Sequence, residues 1–330
     1  MMRYLSFLFL LFCIAFKTGY SQAEKVLSDE YKPVIFGILK TKAEYDLDNS
    51  KVRFEVRNAR FGARGKMNPY FSYKAEIDLS DEGKIKMLDA YVKFTPLQGL
   101  DFYMGQRKIP FSTDYIRNPA ENIFANRSFL AKYINDGMRD IGFYVNYKFN
   151  GDFPVDITVG GVNGTGNNNP QWIDKPNLVG RILAGHDDAF RLASNIYYGQ
   201  ATNRKYLAMF GEEVRYAAGH FFIESEYISS NWTDTLSVRR HDDGLYIQSY
   251  YNFKVNNSII CLLTPTVRWD FMGASIFKGT TDANRLTLGL NTGFAPKQFT
   301  AEIRLNYEKY FKGSLPVETD KLTLEFIAVF

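Results

Sequence analysis

Lys321-Leu322-Thr323-Leu324-Glu325-Phe326-Ile327-Ala328-Val329-Phe330 alternates in chemistry residue by residue. Leu322, Leu324, Phe326, Ala328 and Phe330 form one series; Lys321, Thr323 and Glu325 fall in the other. A period of two marks a strand with one apolar face. About ten residues is also the length a tilted strand needs to cross a bilayer. The segment stops on an aromatic side chain. Left as a free edge, such a strand would recruit other chains; in a closed barrel it pairs with the first strand.

The same alternation recurs upstream. Ala301, Ile303, Leu305 and Tyr307 oppose Glu302, Arg304, Asn306 and Glu308; Leu286, Leu288 and Leu290 oppose Arg285, Thr287 and Asn291. Tyr73, Ala75, Ile77 and Leu79 oppose Ser72, Lys74, Glu76 and Asp78. Strands are expected at 34–45, 52–62, 69–79, 85–95, 100–109, 139–149, 155–163, 177–185, 190–200, 205–217, 220–230, 244–254, 258–270, 285–295, 298–310 and 320–330. A soluble sandwich would also alternate, but its strands are mostly about 5 or 6 residues long. The fold expected is therefore all-β: a transmembrane antiparallel β-barrel of about 16 strands, with 14 and 18 as alternatives. An even count fits a single-chain bacterial barrel with both termini in the periplasm.

The connections carry the same parity. Gaps after even strands are short, as at Ala218–Gly219 and Pro296–Lys297. The longest gaps follow odd strands: 110–138, 164–176, 231–243, 271–284 and 311–319. Short turns on one side and longer loops on the other are the pattern of outer-membrane barrels.

The first residues read as a signal peptide over 1–21. Arg3 supplies the positive start, Leu5–Phe16 is apolar apart from Ser6, and Gly19 and Ser21 suit a cleavage before Gln22. The apolar run is too short to span a membrane as a helix. Residues 22–33 are then a short periplasmic N-terminal segment, and 34–330 a single barrel domain. Losing Arg3 and Lys17 lowers the formal charge from +4 by two. No basic block remains, so nucleic acid is not an expected partner. Cys261 is the only cysteine left after cleavage, which excludes an intramolecular disulfide. The 28 Phe and 22 Tyr suit interfacial aromatic girdles.

The longest connection, 110–138, is also the richest in information. Pro110 and Pro119 forbid a regular central strand. Phe111, Tyr115, Ile116, Ile123, Phe124, Phe129 and Leu130 are unusual for a loop in water. The expectation is an inward-folded constriction loop between strands 5 and 6; the alternative is an external cap packed on itself.

Gly105-Gln106-Arg107-Lys108-Ile109-Pro110-Phe111, Asn126-Arg127-Ser128 and Arg139-Asp140-Ile141-Gly142 follow one another through this region. With Arg57-Asn58-Ala59-Arg60-Phe61-Gly62 and Leu88-Asp89-Ala90-Tyr91-Val92 upstream, the chain resembles the phosphate-selective porin O and P family over about residues 50–150. That resemblance implies a sixteen-stranded, usually trimeric diffusion porin of the outer membrane that attracts anions with lysines and arginines along its pore.

The residues expected to tune the constriction are Arg107, Lys108, Arg117, Arg127, Lys132 and Arg139. For Arg107 and Arg139 the competing role is an anchor paired with Asp140 or Asp101; for Arg127 it is a salt bridge pinning the loop. The lumen wall is expected to carry Arg53, Arg57, Arg60, Lys74, Arg268, Arg285 and Arg304. It also carries Glu55, Glu76, Asp78, Asp89, Glu224, Glu226, Glu302 and Glu325. Mixed charge of this kind favours a general porin with weak anion preference over a dedicated phosphate channel.

No enzyme is expected. His186, His220 and His241 lack metal-ligand spacing, and no nucleophile-elbow motif occurs. No cofactor or metal is expected. The expected partners are the bilayer lipids and small anionic or neutral solutes. The alternative function is a closed-lumen barrel that binds or adheres through its external loops.

Overall fold

The computed structural model describes residues 29–81, 84–134, 139–201, 204–295, 300–313 and 319–330. The expected signal peptide, residues 22–28, Asp136, the Pro296–Lys297 turn and Phe299 lie outside these residues. A short 3₁₀ turn, Asp29–Tyr31, precedes the first strand.

The described strands form one antiparallel sheet that closes on itself. They are β1 (Val34–Asp46), β2 (Lys51–Lys66), β3 (Phe71–Asp81), β4 (Lys84–Leu97), β5 (Leu100–Lys108), β6 (Arg139–Phe149), β7 (Val155–Val162) and β8 (Asn177–Gly185). The second half comprises β9 (Phe190–Ala201), β10 (Arg204–Ala218), β11 (Phe221–Asp234), β12 (Arg239–Tyr251), β13 (Ile260–Gly273), β14 (Ala283–Phe294), β15 (Thr300–Gly313) and β16 (Lys321–Val329). β12 is interrupted at Asn252 and resumes as Phe253–Lys254, still paired with β13. The barrel is therefore sixteen-stranded.

The last strand closes against the first. β1 and β16 pair from Ile38 with Val329 to Asp46 with Lys321. Beyond the strand, Phe330 and Gly37 exchange two backbone hydrogen bonds, of 2.8 and 3.1 Å. The Phe330 ring covers Gly37, where a Cβ would collide with it, and packs 5.6 Å from the Phe61 ring. The terminal aromatic is part of the seam.

Burial is inverted relative to a soluble protein. In β16, Thr323 and Glu325 are 0% exposed, whereas Leu324 is 37% and Phe326 49% exposed. Arg268, Arg285 and Arg304 rank among the largest fully buried side chains, while Leu288, Leu290 and Leu305 lie open on the outside. Apolar side chains outward and ion pairs inward suit only a hydrocarbon surround.

Two expected boundaries shift. The gap at 231–243 is a tall hairpin: β11 runs to Asp234 and β12 starts at Arg239. His241 lies in that hairpin, its Nδ1 2.9 Å from the Asn231 side-chain oxygen, rather than in a loop. β2 extends to Lys66, so the expected 63–68 turn is mostly strand. In both places ladder bonds extend past the apolar run, and hydrophobic alternation marks only the membrane-depth part of a strand.

Candidate functional site: the lumen and the segment after β5

β5 ends in a local distortion. Gly105 adopts φ 130°, and a Cβ there would run into the Ala90 carbonyl oxygen, so glycine is required. Ile109-Pro110 then ends the ladder. The chain makes one short helix, α1 (Thr113–Ile116), whose first turn is capped by Ser112 accepting from the Tyr115 N–H at 3.3 Å. Lys108 closes the other end, donating to the carbonyls of Tyr115, Ile116 and Arg117 at 2.9, 3.0 and 2.9 Å. A single π-helical turn at Leu130–Ile134 follows.

This segment bonds to the inward face of half the barrel. On one side its amides and Arg117 meet carboxylates: Thr113 N–H donates to Glu213 at 3.1 Å and Asp114 N–H to Glu226 at 3.3 Å. Arg117 donates to both oxygens of Glu224, at 2.8 and 2.7 Å. On the other side its carbonyls meet cations. Lys40 reaches Pro119 O at 3.2 Å and Arg304 reaches Ala120 O at 2.7 Å. Arg268 donates to Asn126 O and Arg127 O, at 3.1 and 3.2 Å, and Arg285 to Arg127 O at 2.8 Å. Phe111, Phe129, Leu130 and Ile134 are buried in one cluster with Tyr144, Tyr197, Met209, Ile228 and Tyr246 of the wall. Burying these side chains supplies the driving force, and the charged pairs set the position.

The electrostatics within the segment are self-consistent. Burial pushes the Asp114 carboxyl up, but Arg127, Arg268 and Arg117, with the Ser128 hydroxyl at 2.6 Å, hold it below the usual carboxylate range. Burial works against the Arg117 charge, and Glu224 more than offsets it.

The expected tuning residues divide into two groups. Lys108 and Arg117 are spent on the carbonyls and carboxylate just described. Arg139 pairs with Asp89 at 2.9 Å, not with Asp140 or Asp101. Asp140 instead accepts from the backbone of Ile141 and Gly164, at 2.7 and 2.6 Å, and Asp101 faces Lys93 at 3.4 Å. Arg107 sits among three rings, 4.1 Å from Tyr103, 5.2 Å from Tyr144 and 5.6 Å from Tyr91, with one buried guanidinium nitrogen left without a hydrogen bond. Among the described residues no ion pair joins it to Asp140 or Asp101, the partners of the competing anchor role; Asp140 bonds to backbone and Asp101 faces Lys93. Arg127 bonds to the Asp114 and Arg117 carbonyls, and Lys132 lies exposed beside the Tyr133 ring at 4.8 Å.

The wall residues divide likewise. Arg268 and Arg285 share Asp270, at 2.8 and 2.9 Å, and Arg304 pairs with Glu302 and Glu325 at 2.7 and 3.3 Å. Arg60 pairs with Asp78 at 3.0 Å, and Lys74 bridges Glu76 and Asp89 at 2.7 and 2.6 Å. Arg53 binds Glu44, and Arg57 lies 3.8 Å from Glu55 with about half its side chain open. Sequence reasoning missed Lys40, Lys42 and Glu213. Alternation through β1 already places Lys40 and Lys42 on one face.

Two cavities flank the segment, one against β1–β4 and one against β1, β2 and the β14–β16 edge. One, of about 590 Å³, is lined by Lys40, Arg57, Arg60, Lys86, Arg127 and Arg139 against Glu55 and Asp78. The other, of about 1000 Å³, adjoins the turn between β1 and β2, with Lys42, Lys51, Arg53, Lys132 and Lys321 among its walls. Both touch Glu55, Arg57, Tyr115 and Arg127. A third, of about 310 Å³, lies beside Arg107, Lys108 and Lys148.

A closed barrel with an apolar exterior and a charged interior defines an outer-membrane protein of the porin class. Residues 39–175, a span that includes Arg107, Arg127 and Arg139, match the family described as phosphate-selective porin O and P. Comparison with curated proteins gave no match. Among solved structures, the chain is similar to an anion-selective porin from Comamonas acidovorans, at 8% identity and TM-score 0.62, covering 91% of this chain and 99% of that one. It is similar to OmpF of Salmonella typhi, at 12% identity and TM-score 0.63, covering 92% and 98%. It is also similar to the outer-membrane channel DcaP of Acinetobacter baumannii, at 12% identity and TM-score 0.60, covering 92% and 99%. Identities this low speak for the fold alone.

Proposed function

We propose that the chain is a passive, water-filled diffusion channel for small hydrophilic solutes, with a weak preference for anions. The observation that carries this reading is the pair of cavities meeting at Arg57, Arg127, Tyr115 and Glu55, with basic groups outnumbering acidic ones in both. A solute crossing between them passes two guanidinium groups and one carboxylate. Excess positive potential in a low-dielectric wall raises the local anion concentration.

The segment after β5 acts as the constriction in this reading. It narrows the lumen and leaves open space along β1–β4 and the adjoining β14–β16 edge. Most arginines of β13–β15 contribute structure rather than selectivity, because their charge is neutralised by carboxylates and their donors are taken by the segment's carbonyls. Arg57, about half of it open, keeps the most field for solutes, and Arg127 stands between the two cavities with Asp114 3.9 Å away. This is why the preference is weak and a dedicated phosphate site is not proposed.

The protein works as a trimer in the outer-membrane bilayer. One similar structure, OmpT of Vibrio cholerae, is described as a trimer form. Residues 1–21 direct export and are removed, and the barrel acts without a cofactor or catalysis. Purified protein in planar bilayers should give discrete open channels, and proteoliposomes should swell in small sugars. Folded protein that gives neither result would rule the channel out and leave the closed-lumen binding barrel.

A further inference from the structure

The cavity of about 310 Å³ is distinct from the two that meet at Arg57 and Arg127. It lies between the segment, whose Pro110 and Ile116 line it, and the inward faces of β4–β8. Lys148 and Asp156 bring it to the short turn that joins β6 to β7. The cavity of about 1000 Å³ instead adjoins the β1–β2 turn, at the opposite rim of the barrel.

Its charged groups are unequally spent. Asp89 is held by Lys74 and Arg139 at 2.6 and 2.9 Å, Lys108 by three carbonyls of the segment, and Arg181 by Glu213 at 2.6 Å. Asp156 has Lys148 3.7 Å away. Arg107 differs: its guanidinium bonds to no described residue, although its Nη1 is buried. Tyrosine rings surround it, Tyr103 nearest with its centroid 4.1 Å away. Asn146, 5% exposed, donates through Nδ2 to Thr158 at 2.8 Å and to Asp156, while its Oδ1 accepts nothing from a described residue. Buried polar groups are nearly always paired. A cationic donor and an amide acceptor left open on one cavity therefore point to a partner from outside the chain.

We propose that this cavity is a binding site for a small hydroxy-carboxylate. The carboxylate accepts from the open Arg107 donor, a charge-assisted bond of the strong kind. A hydroxyl of the same molecule donates to Asn146 Oδ1, and its C–H face lies on the Tyr91 and Tyr103 rings that line the cavity. The ligand class follows from which groups are open. A phosphate needs several N–H donors converging on one centre, and Lys108 and Arg181 have theirs committed. A neutral sugar leaves the Arg107 charge unanswered, and a simple fatty acid leaves Asn146 unanswered. The volume stands at the lower end of ligand-site volumes, which suits a molecule of sugar-acid size. The inference rests on the channel reading only for how the solute arrives, and adds a place where it pauses.

The test is a binding titration on the full-length folded protein in detergent, read by saturation-transfer NMR, which needs no open channel. D-gluconate is the probe, with D-glucose, acetate and inorganic phosphate as comparators. Gluconate should bind saturably and at least severalfold more tightly than each comparator. Arg107→Gln should weaken gluconate about tenfold or more and leave glucose unchanged. Lys148→Glu, at a position about half open, tests the same cavity in a barrel whose fold it spares, and should weaken gluconate about threefold. Heat-modifiable gel mobility checks that each variant is folded. No saturable binding would leave the recess to water and overturn the site. Gluconate affinity unchanged in folded Lys148→Glu, or in folded Arg107→Gln, would overturn it too. Phosphate that displaces gluconate at equal concentration would overturn the ligand class. Gluconate binding by a protein that never conducts would remove the channel and keep the site; conduction without binding would do the reverse.

Discussion

Arg117 of the segment after β5 grips both carboxylate oxygens of Glu224 on β11, at 2.8 and 2.7 Å, with the two side chains almost out of contact with water. This bond ties a loop residue to the barrel wall 107 positions away in sequence. Breaking a buried pair by removing one partner costs on the order of 3 kcal/mol, because the other charge is left stranded. Arg117→Ala should therefore leave the barrel folded but loosen the segment. Single-channel records should show larger conductance with frequent sublevels; an unchanged, quiet trace would mean that the pair does not hold the segment.

Arg285 tests the same principle from the opposite wall. It pairs with Asp270 and holds the Arg127 carbonyl at 2.8 Å, with its side chain 2% exposed. Arg285→Leu should lower barrel stability by about 3 kcal/mol in denaturant titrations. Ion selectivity should change little by comparison, because that charge is already neutralised.

Arg57 should behave in the reverse way. About half of its side chain is open, and its nearest carboxylate is 3.8 Å away. Arg57→Glu should cost little stability, since exposed pairs contribute under about 1 kcal/mol. It should shift the anion-to-cation permeability ratio toward cations by roughly twofold or more. A ratio equal to wild type would place the conducting path elsewhere.

Acid should release the segment only late. Burial raises the Asp114 carboxyl, but its arginine neighbours leave it depressed overall. A depressed folded value means that the stabilisation is fully present above the ordinary aspartate value of about 4 and is lost as pH falls through the lower folded one. Channel noise should stay flat from neutral pH to about 5 and rise in stronger acid. Asp114→Asn should remove that dependence and start noisy; a wild-type transition near neutrality would contradict the assignment.

The belt is tested by position rather than chemistry. Leu324 faces outward and Thr323 inward, one residue apart. Leu324→Arg should destabilise folding into lipid vesicles by about 2–4 kcal/mol. Equal stability in lipid would contradict the assignment of that face.

Much of this was legible in the sequence. Alternation in β16 fixes which face of the strand turns Glu325 into the barrel, and loop parity gives the even strand number. The proline pair and the aromatic content of 110–138 single that segment out. What periodicity cannot supply is who pairs with whom. The competing anchor role for Arg139 set it beside Asp140 or Asp101, yet Asp89 of β4 takes it, and Asp140 turns to the Gly164 backbone. Neighbourhood in the ladder does not determine ion pairing when side chains are long and the lumen is shared by several strands. Nor does composition distinguish Arg57 from Arg285. Both read as lumen arginines, and only the fold shows that one is spent on a carbonyl.

The most direct test of the central claim is the zero-current potential of the wild-type channel in a tenfold potassium chloride gradient. The account predicts discrete channels with a potential of the sign set by chloride, corresponding to a permeability ratio above one and below about ten. A cation-signed potential, or a folded protein that never opens, would contradict it.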